Sequence, residues 1–359
     1  MISKYKILFL KILYIFFTFL SLILFFFSTA KAQGKAFDIN KVEVSRPFNL
    51  NFDKNKVIDE GFNKAFLELI LLITNSNDQK KINQIKLNEI KGMIDSFTIT
   101  EEKFINEIYY VNLGVSFNKK EIFKFLEKKN IFPSTPVKNK FLFIPIIIDE
   151  NKKELLIFND NKIFVNWNKD VKSTDLVEYI LPTQDLEDLN LIKDKYENIE
   201  RYDFKDITSK YYLKDSIITL IFKNEKKVRI LSRITVNDKV ILKNQSFLNI
   251  NIENDENSVD LINDLKIIYE DYWKNLNQIN TSIKLPLSIK VNNLNNNQIM
   301  KFEKTLTKAD LVYNFFISKI DKDFVYYKVI FNGTPNVFLK KMTLMDYNFD
   351  TQNSTWILK

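Results

Sequence analysis

The chain has 359 residues, 45% hydrophobic and 27% charged, the composition of a folded protein with a substantial core and not of a disordered one. It contains no cysteine and no histidine, which excludes disulfides, Ser-His-Asp and Cys-His catalysis, and the common zinc sites. The formal charge of +8 is not a nucleic-acid signature: Lys4, Lys6, Lys11 and Lys31 hold half of it, and arginine, the usual reader of phosphates and base edges, occurs only at Arg46, Arg201, Arg229 and Arg233.

The first predicted element is a leader. Lys4, Lys6 and Lys11 precede a charge-free apolar run over residues 12–27, and Ser28-Thr29-Ala30-Lys31-Ala32 follows with the small-x-small form of a signal-peptidase site. This layout predicts a signal peptide over residues 1–32, with Ala30 and Ala32 at the cleavage site, Gln33 as the first mature residue, and a periplasmic protein. The abundance of Lys, Asn, Ile and Phe points to an AT-rich bacterial genome. The alternative for the same stretch is a retained membrane anchor. A spanning helix needs roughly 20 apolar residues, a length this run reaches only if Lys11 snorkels.

Residues 33–137 are expected to form an N-terminal α+β domain. Alternation predicts a strand over 37–47, and Asp53 or Asn55 is placed to cap a helix running to about residue 73. In that helix Val57, Ile58, Phe62, Ala65, Phe66, Leu69, Ile70 and Ile73 recur at three and four. A shorter helix over 80–93, strands over 96–104 and 107–117, and a helix over 119–129 opened by Asn118 complete the unit. Pro133 and Pro136 close it.

Residues 138–252 are expected to form a central α/β domain. The continuous apolar run 141–148 predicts a strand buried on both faces. A strand over 176–181, a helix from Asp185 to about 195 and a short helix over 204–212 follow. Strands over 216–223, 227–236 and 239–250 then form a meander, with Asn237-Asp238 as a hairpin turn.

Residues 253–359 are expected to form the third domain. A long amphipathic helix over 259–279 is followed by strand 283–291, helix 297–306, strands 311–320 and 324–331, helix 335–345 and strand 354–358. That is the βαββαβ order of the ferredoxin-like fold. The long helix, with Trp273, is expected to cover the open face of that sheet. The fold class expected is thus α+β and α/β multidomain, in three small domains.

Asp185-Leu186-Glu187-Asp188 is the tightest carboxylate cluster. It reads either as a cation or acid/base site, or as a helix N-terminus with Asp185 as cap and acids favoured by the helix dipole. Ser116-Phe117-Asn118-Lys119 has the Ser-x-x-Lys spacing of some acylating enzymes but none of their companion motifs. Trp167, Trp273 and Trp356, with the pairs Tyr109-Tyr110, Tyr211-Tyr212 and Tyr326-Tyr327, read as a ligand groove or as core. The five glycines form no phosphate loop, dinucleotide fingerprint or nucleophile elbow. No catalytic residue, cofactor or metal is assigned on these grounds.

Around Leu181-Pro182 and Asp185-Leu186-Glu187-Asp188 the chain resembles a bacterial envelope family, domain of unknown function 2066. Val42 and Val44, the Ala- and Leu-rich helix from Ala65 to Ile73, and the run 141–148 match its other features in order. Asp59-Glu60-Gly61-Phe62 and Asn75 depart from its Arg and Gly positions, and Thr183-Gln184 stands where two apolar residues are usual. The resemblance implies an envelope compartment and an architecture, not a reaction. It makes Pro182, Asp185, Glu187 and Asp188 a candidate interaction or structural signature. More loosely, the modules look similar to those of periplasmic scaffold proteins around flagella and the Tol system.

The leading expectation is a non-enzymatic periplasmic binding or scaffold protein whose partner is another envelope protein. No nucleic acid is expected, and membrane contact only through the N-terminal segment if it is uncleaved. One alternative is a carboxylate-dependent cell-wall or glycan hydrolase using Asp185, Glu187 or Asp188. Another is a periplasmic carrier of a small apolar ligand or lipid in a pocket of the central domain.

Overall fold

A computed structural model describes residues 37–359 apart from 83, 225, 226, 249 and 310; the predicted leader and its cleavage residues Ala30, Ala32 and Gln33 lie outside the described residues. The described residues form ten α-helices and fourteen strands in three sheets, a mixed α+β architecture. No described helix is long and apolar enough to cross a membrane.

The first sheet is antiparallel, in the order β1 (Asp38–Pro47), β3 (Ile108–Phe117), β2 (Ile94–Ile105). Tyr109, Val111, Leu113, Val115 and Phe117 of β3 point to one face and are buried, as the two-residue period requires. Helix α1 (Lys54–Ile73) covers that face with the predicted stripe, and Asp53 caps it by accepting the Asn55 N–H at 2.9 Å. Gly61 lets α1 approach the sheet, since a Cβ there would overlap Leu113. The expected helix over 80–93 is instead two short ones, α2 (Ser76–Gln79) and α3 (Leu87–Lys91). Among the described residues of that stretch only Ile82, Ile90 and Met93 go inside, too few for a continuous buried stripe. Helix α4 (Lys119–Lys128) follows, capped by Asn118.

The central sheet is built on β4 (Asn139–Asp149), in which Phe141, Phe143 and Ile147 face one core and Leu142, Ile144, Ile146 and Ile148 the other. β7 (Ser216–Lys223) runs parallel beside it, followed outward by antiparallel β8 (Lys227–Val236) and β9 (Lys239–Leu248). Asn237 and Asp238 make the last turn in left-handed conformation, the hairpin geometry expected of them. On its other flank β4 changes partner along its length. β6 (Val177–Ile180) pairs with its first half in parallel, and β5 (Glu154–Leu156) with its last residues, antiparallel. Helix α5 (Lys162–Asn166) joins β5 to β6. Helices α6 (Leu186–Asp194) and α7 (Lys205–Thr208) lie between β6 and β7 and cover the face of Leu142 and Ile144.

The long helix α8 (Asp255–Leu276) departs from expectation: it packs on the central sheet, not on the last one. Its apolar stripe, Leu261, Ile262, Leu265, Tyr269 and Trp273, would suit any apolar sheet. Polar matching decides the choice. The buried Tyr269 hydroxyl sits 2.7 Å from both Thr219 of β7 and Ser232 of β8, and Glu270 accepts the N–H groups of Leu176 and Val177 at the start of β6. The far end of α8 also ties down the first module. Asp271 accepts from Ser76, Lys274 donates to the Leu71 carbonyl at 2.6 Å, and Trp273 Nε1 donates to the Val137 carbonyl at 2.6 Å.

The last sheet has the order β11 (Val312–Ile320), β12 (Phe324–Phe331), β10 (Leu285–Asn292), β14 (Thr355–Leu358), β13 (Phe349–Asp350). Val325, Tyr327, Val329 and Phe331 share the buried face, as their alternation predicts. Helices α9 (Asn296–Lys308) and α10 (Pro335–Thr343) bring Phe302 and Phe338 to that face. The sequence reading missed β13, which is only two residues long. With that extra strand, β14 enters beside β10 and parallel to it; in the six-element ferredoxin-like order the last strand runs antiparallel to the first.

Candidate functional site

The sequence signature lies where β6 turns into α6. Pro182 is buried, and Thr183 and Gln184 are exposed but bonded, to Tyr211 and Asn159 respectively. Asp185 is the N-cap, accepting the Glu187 N–H at 2.8 Å, and Glu187 is exposed in the first turn. Asp188 is buried and takes Lys210 Nζ at 2.7 Å, with Asp185 3.5 Å from the same amine. The paired carboxylates raise the pKa of Lys210, the hydrogen bond to Asp188 being the largest cause. These acids staple the β6–α6 turn to the segment after α7. Among the described residues no cluster of three acidic side chains is arranged to hold a metal ion.

The Ser116 and Lys119 pairing does not form a site either: Ser116 lies in β3, and Lys119 donates to the Ala309 carbonyl at 2.5 Å, joining first and last modules.

Two other places carry chemistry that is not spent on the fold. The first is the far tip of the first sheet, where β1 leaves for α1 and the β2–β3 hairpin turns at Asn106 and Glu107, both left-handed. Phe48 (51% exposed) and Phe104 (57%) stack edge to face with centroids 4.9 Å apart, and Phe52 bridges Phe48 to Tyr109. Leu50 is fully exposed beside them, and Ile105 and Tyr110 are also exposed. A cleft of about 400 Å³ opens between Phe48, Phe52, Phe104 and Tyr109. Its polar wall is Glu102, which accepts from Lys54 at 2.8 Å and from Tyr109 at 2.9 Å. Those two donors hold the Glu102 carboxyl below its ordinary pKa, Lys54 first, so it stays charged at the rim. The reading from sequence passed over this cluster. Its signal was Phe48-Asn49-Leu50-Asn51-Phe52, three large apolar residues alternating with asparagines just beyond a strand.

The second place is a cleft of about 440 Å³ between α5 and α8, lined by Trp167, Ile262, Lys162, Lys169 and Lys266 among others. Trp167 is fully buried, stacked on Phe143 at 3.8 Å and edge-on to Tyr179 at 5.2 Å. The indole N–H of Trp167, the hydroxyl of Tyr179 and the second oxygen of Glu270 are all buried without a hydrogen-bond partner. Such orphans are uncommon in folded proteins and costly. Of the three tryptophans, Trp167 and Trp273 are core residues and Trp356 is half-buried against Phe338.

Burial raises the Glu270 carboxyl above its ordinary pKa. The folded chain therefore holds this proton more tightly than the unfolded chain, and stability contributed at Glu270 falls as pH rises from the ordinary carboxyl value upward. Glu270→Gln keeps an acceptor for Leu176 and Val177 without the charge. It is expected to be at least as stable as the parent near neutral pH, with the difference shrinking toward about pH 4. Urea unfolding across that range reads this directly, and a difference independent of pH would show that the charge at Glu270 is not what burial opposes.

Comparison with known proteins adds no family: no protein-family model and no curated protein matches the chain.

Proposed function

We propose that the chain is an exported, non-enzymatic binding or scaffold protein of the bacterial cell envelope that docks another protein through the aromatic tip of its first sheet. The observation that carries this reading is the exposed pair Phe48 and Phe104 on a preformed cleft at the tip, with Leu50 exposed next to Phe48 in the chain and with Ile105 and Tyr110 exposed on the opposite face of the same hairpin. Aromatic anchors beside a hydrogen-bonded charged rim are the anatomy of a protein interaction hot spot. The tip carries Asp53, Glu102 and Glu107 beside Lys54 and Lys103, a mixed rim and not the basic patch that an anionic lipid surface attracts, which favours a protein as the occupant. Export rests on the leader of residues 1–32, and the envelope family on the signature from Pro182 to Asp188. In this reading the three sheets are three domains, α8 is their joint, and the last domain is a variant of the ferredoxin-like order in which a C-terminal hairpin, its last strand parallel to β10, replaces the single antiparallel last strand.

The Phe48→Ser, Phe104→Ser double variant tests it. Both rings are half exposed, so stability is expected to change by no more than about 1–2 kcal/mol. Co-purification of envelope proteins with the full-length chain from cells is expected to drop at least tenfold for the principal partner. Unchanged co-purification with a folded variant would remove the tip from the account.

A second reading, a carrier of a small apolar or amphipathic ligand, is favoured by one observation, the orphan indole N–H of Trp167, which lines the α5–α8 cleft, with the orphan groups of Tyr179 and Glu270 buried in the same core.

A further inference from the structure

The sheet edges of the described chain are guarded, with one exception. An exposed strand edge templates pairing with another chain, and proteins blunt edges with bulges or by keeping edge strands short. β1, β2 and β11 all carry register shifts. β5, β6 and β13 have three, four and two residues. β9 has neither protection, and its charges are confined to Lys239 and Lys243. It is ten residues long, lies at the edge of the central sheet, and pairs with β8 in unbroken register from Lys239 to Leu248. Val240, Leu242 and Leu248 stand exposed on one of its faces.

We propose that β9 pairs antiparallel with β9 of a second copy of this chain, about a two-fold axis through Asn244, so that two central sheets become one. A two-fold contact must be self-complementary, residue i meeting j and j meeting i. With the axis at Asn244, Val240 meets Leu248 and Leu242 meets Ser246 on one face. On the other, Ile241 meets Phe247 and Lys243 meets Gln245. Apolar residues oppose apolar ones at both Val240 and Ile241, and no like charges are opposed. The side-chain carbonyl of Gln245 is buried with no partner within its own chain, and the residue brought opposite it is a lysine, a donor. Neighbouring registers fail: an axis at Lys243 sets two lysines face to face, and one at Gln245 sets Lys243 against Phe247.

The chain has no cysteine, so Asn244→Cys introduces a unique thiol. Directly opposed residues of an antiparallel pair lie roughly 4.5–5.5 Å apart, within disulfide reach. The full-length Asn244→Cys chain, oxidised mildly in cells, is expected to run mainly as a reducible species of twice the mass. Leu186→Cys, at another exposed position, is expected to stay monomeric on the same gel. Asn244→Lys, which sets two cations on the axis, is expected to weaken dimerisation by about tenfold or more in sedimentation, with an unchanged circular dichroism spectrum. The proposal is overturned if Asn244→Cys crosslinks no better than Leu186→Cys, or if the folded Asn244→Lys chain dimerises as tightly as its parent.

Discussion

Asn161→Ala is expected to be among the most destabilising single changes in the protein, at about 3–5 kcal/mol. Asn161 has no exposed surface. Its amide donates to the Pro145 carbonyl at 3.0 Å and the Leu156 carbonyl at 3.3 Å, and its oxygen accepts the N–H groups of Ile163 at 2.9 Å and Phe164 at 3.2 Å. The position explains the need. β4 passes from β6 to β5 along one flank, and Pro145 falls in the gap between the two pairings. One side chain therefore does what a neighbouring strand would, and also caps α5. Truncation strands two carbonyls and two amides in the interior, at roughly 1–3 kcal/mol each before relaxation. Asn161→Asp keeps the cap but loses both donations and buries a charge, so it too is expected to be costly. Urea unfolding gives the comparison, and a loss below about 1 kcal/mol would mean that water replaces the amide.

Trp167→Ala is expected to cost about 3–5 kcal/mol, as removal of a fully buried ring does. The informative partner variant is Trp167→Phe. The indole N–H has no partner within the chain, so Phe loses ring volume but no hydrogen bond. It is expected to cost less than about 1.5 kcal/mol. If Trp167→Phe proves as damaging as Trp167→Ala, the N–H is engaged by something outside the chain, and the carrier reading gains.

What the sequence made legible is local. The runs of β7, β8 and β12 have the predicted bounds, and Asp53, Asn118 and Asp185 cap the helices they precede. Period and capping chemistry act within a few residues, so they can be read from a few residues. The placement of α8 could not be, because its apolar stripe fits any sheet and its choice rests on Tyr269 finding Thr219 and Ser232, some 50 and 37 positions away. Asn161 looks like any of the chain's many asparagines until Pro145 is set beside it. The aromatic tip was hidden for the opposite reason. Phe48, Leu50 and Phe52 fall between the predicted strand and the predicted helix, where no period applies, and only the end of the sheet leaves Phe48 and Leu50 exposed.

The most direct test is photocrosslinking in living cells, with a photoreactive amino acid at Leu50 of the full-length chain and, separately, at Leu186. Both leucines are exposed, at 106% and 74%, but only Leu50 lies on the tip. A docking tip predicts a discrete adduct with one envelope protein from Leu50, absent from Leu186 and lost when Phe104→Ser is added. No adduct at Leu50, or the same adducts at both positions, would contradict it.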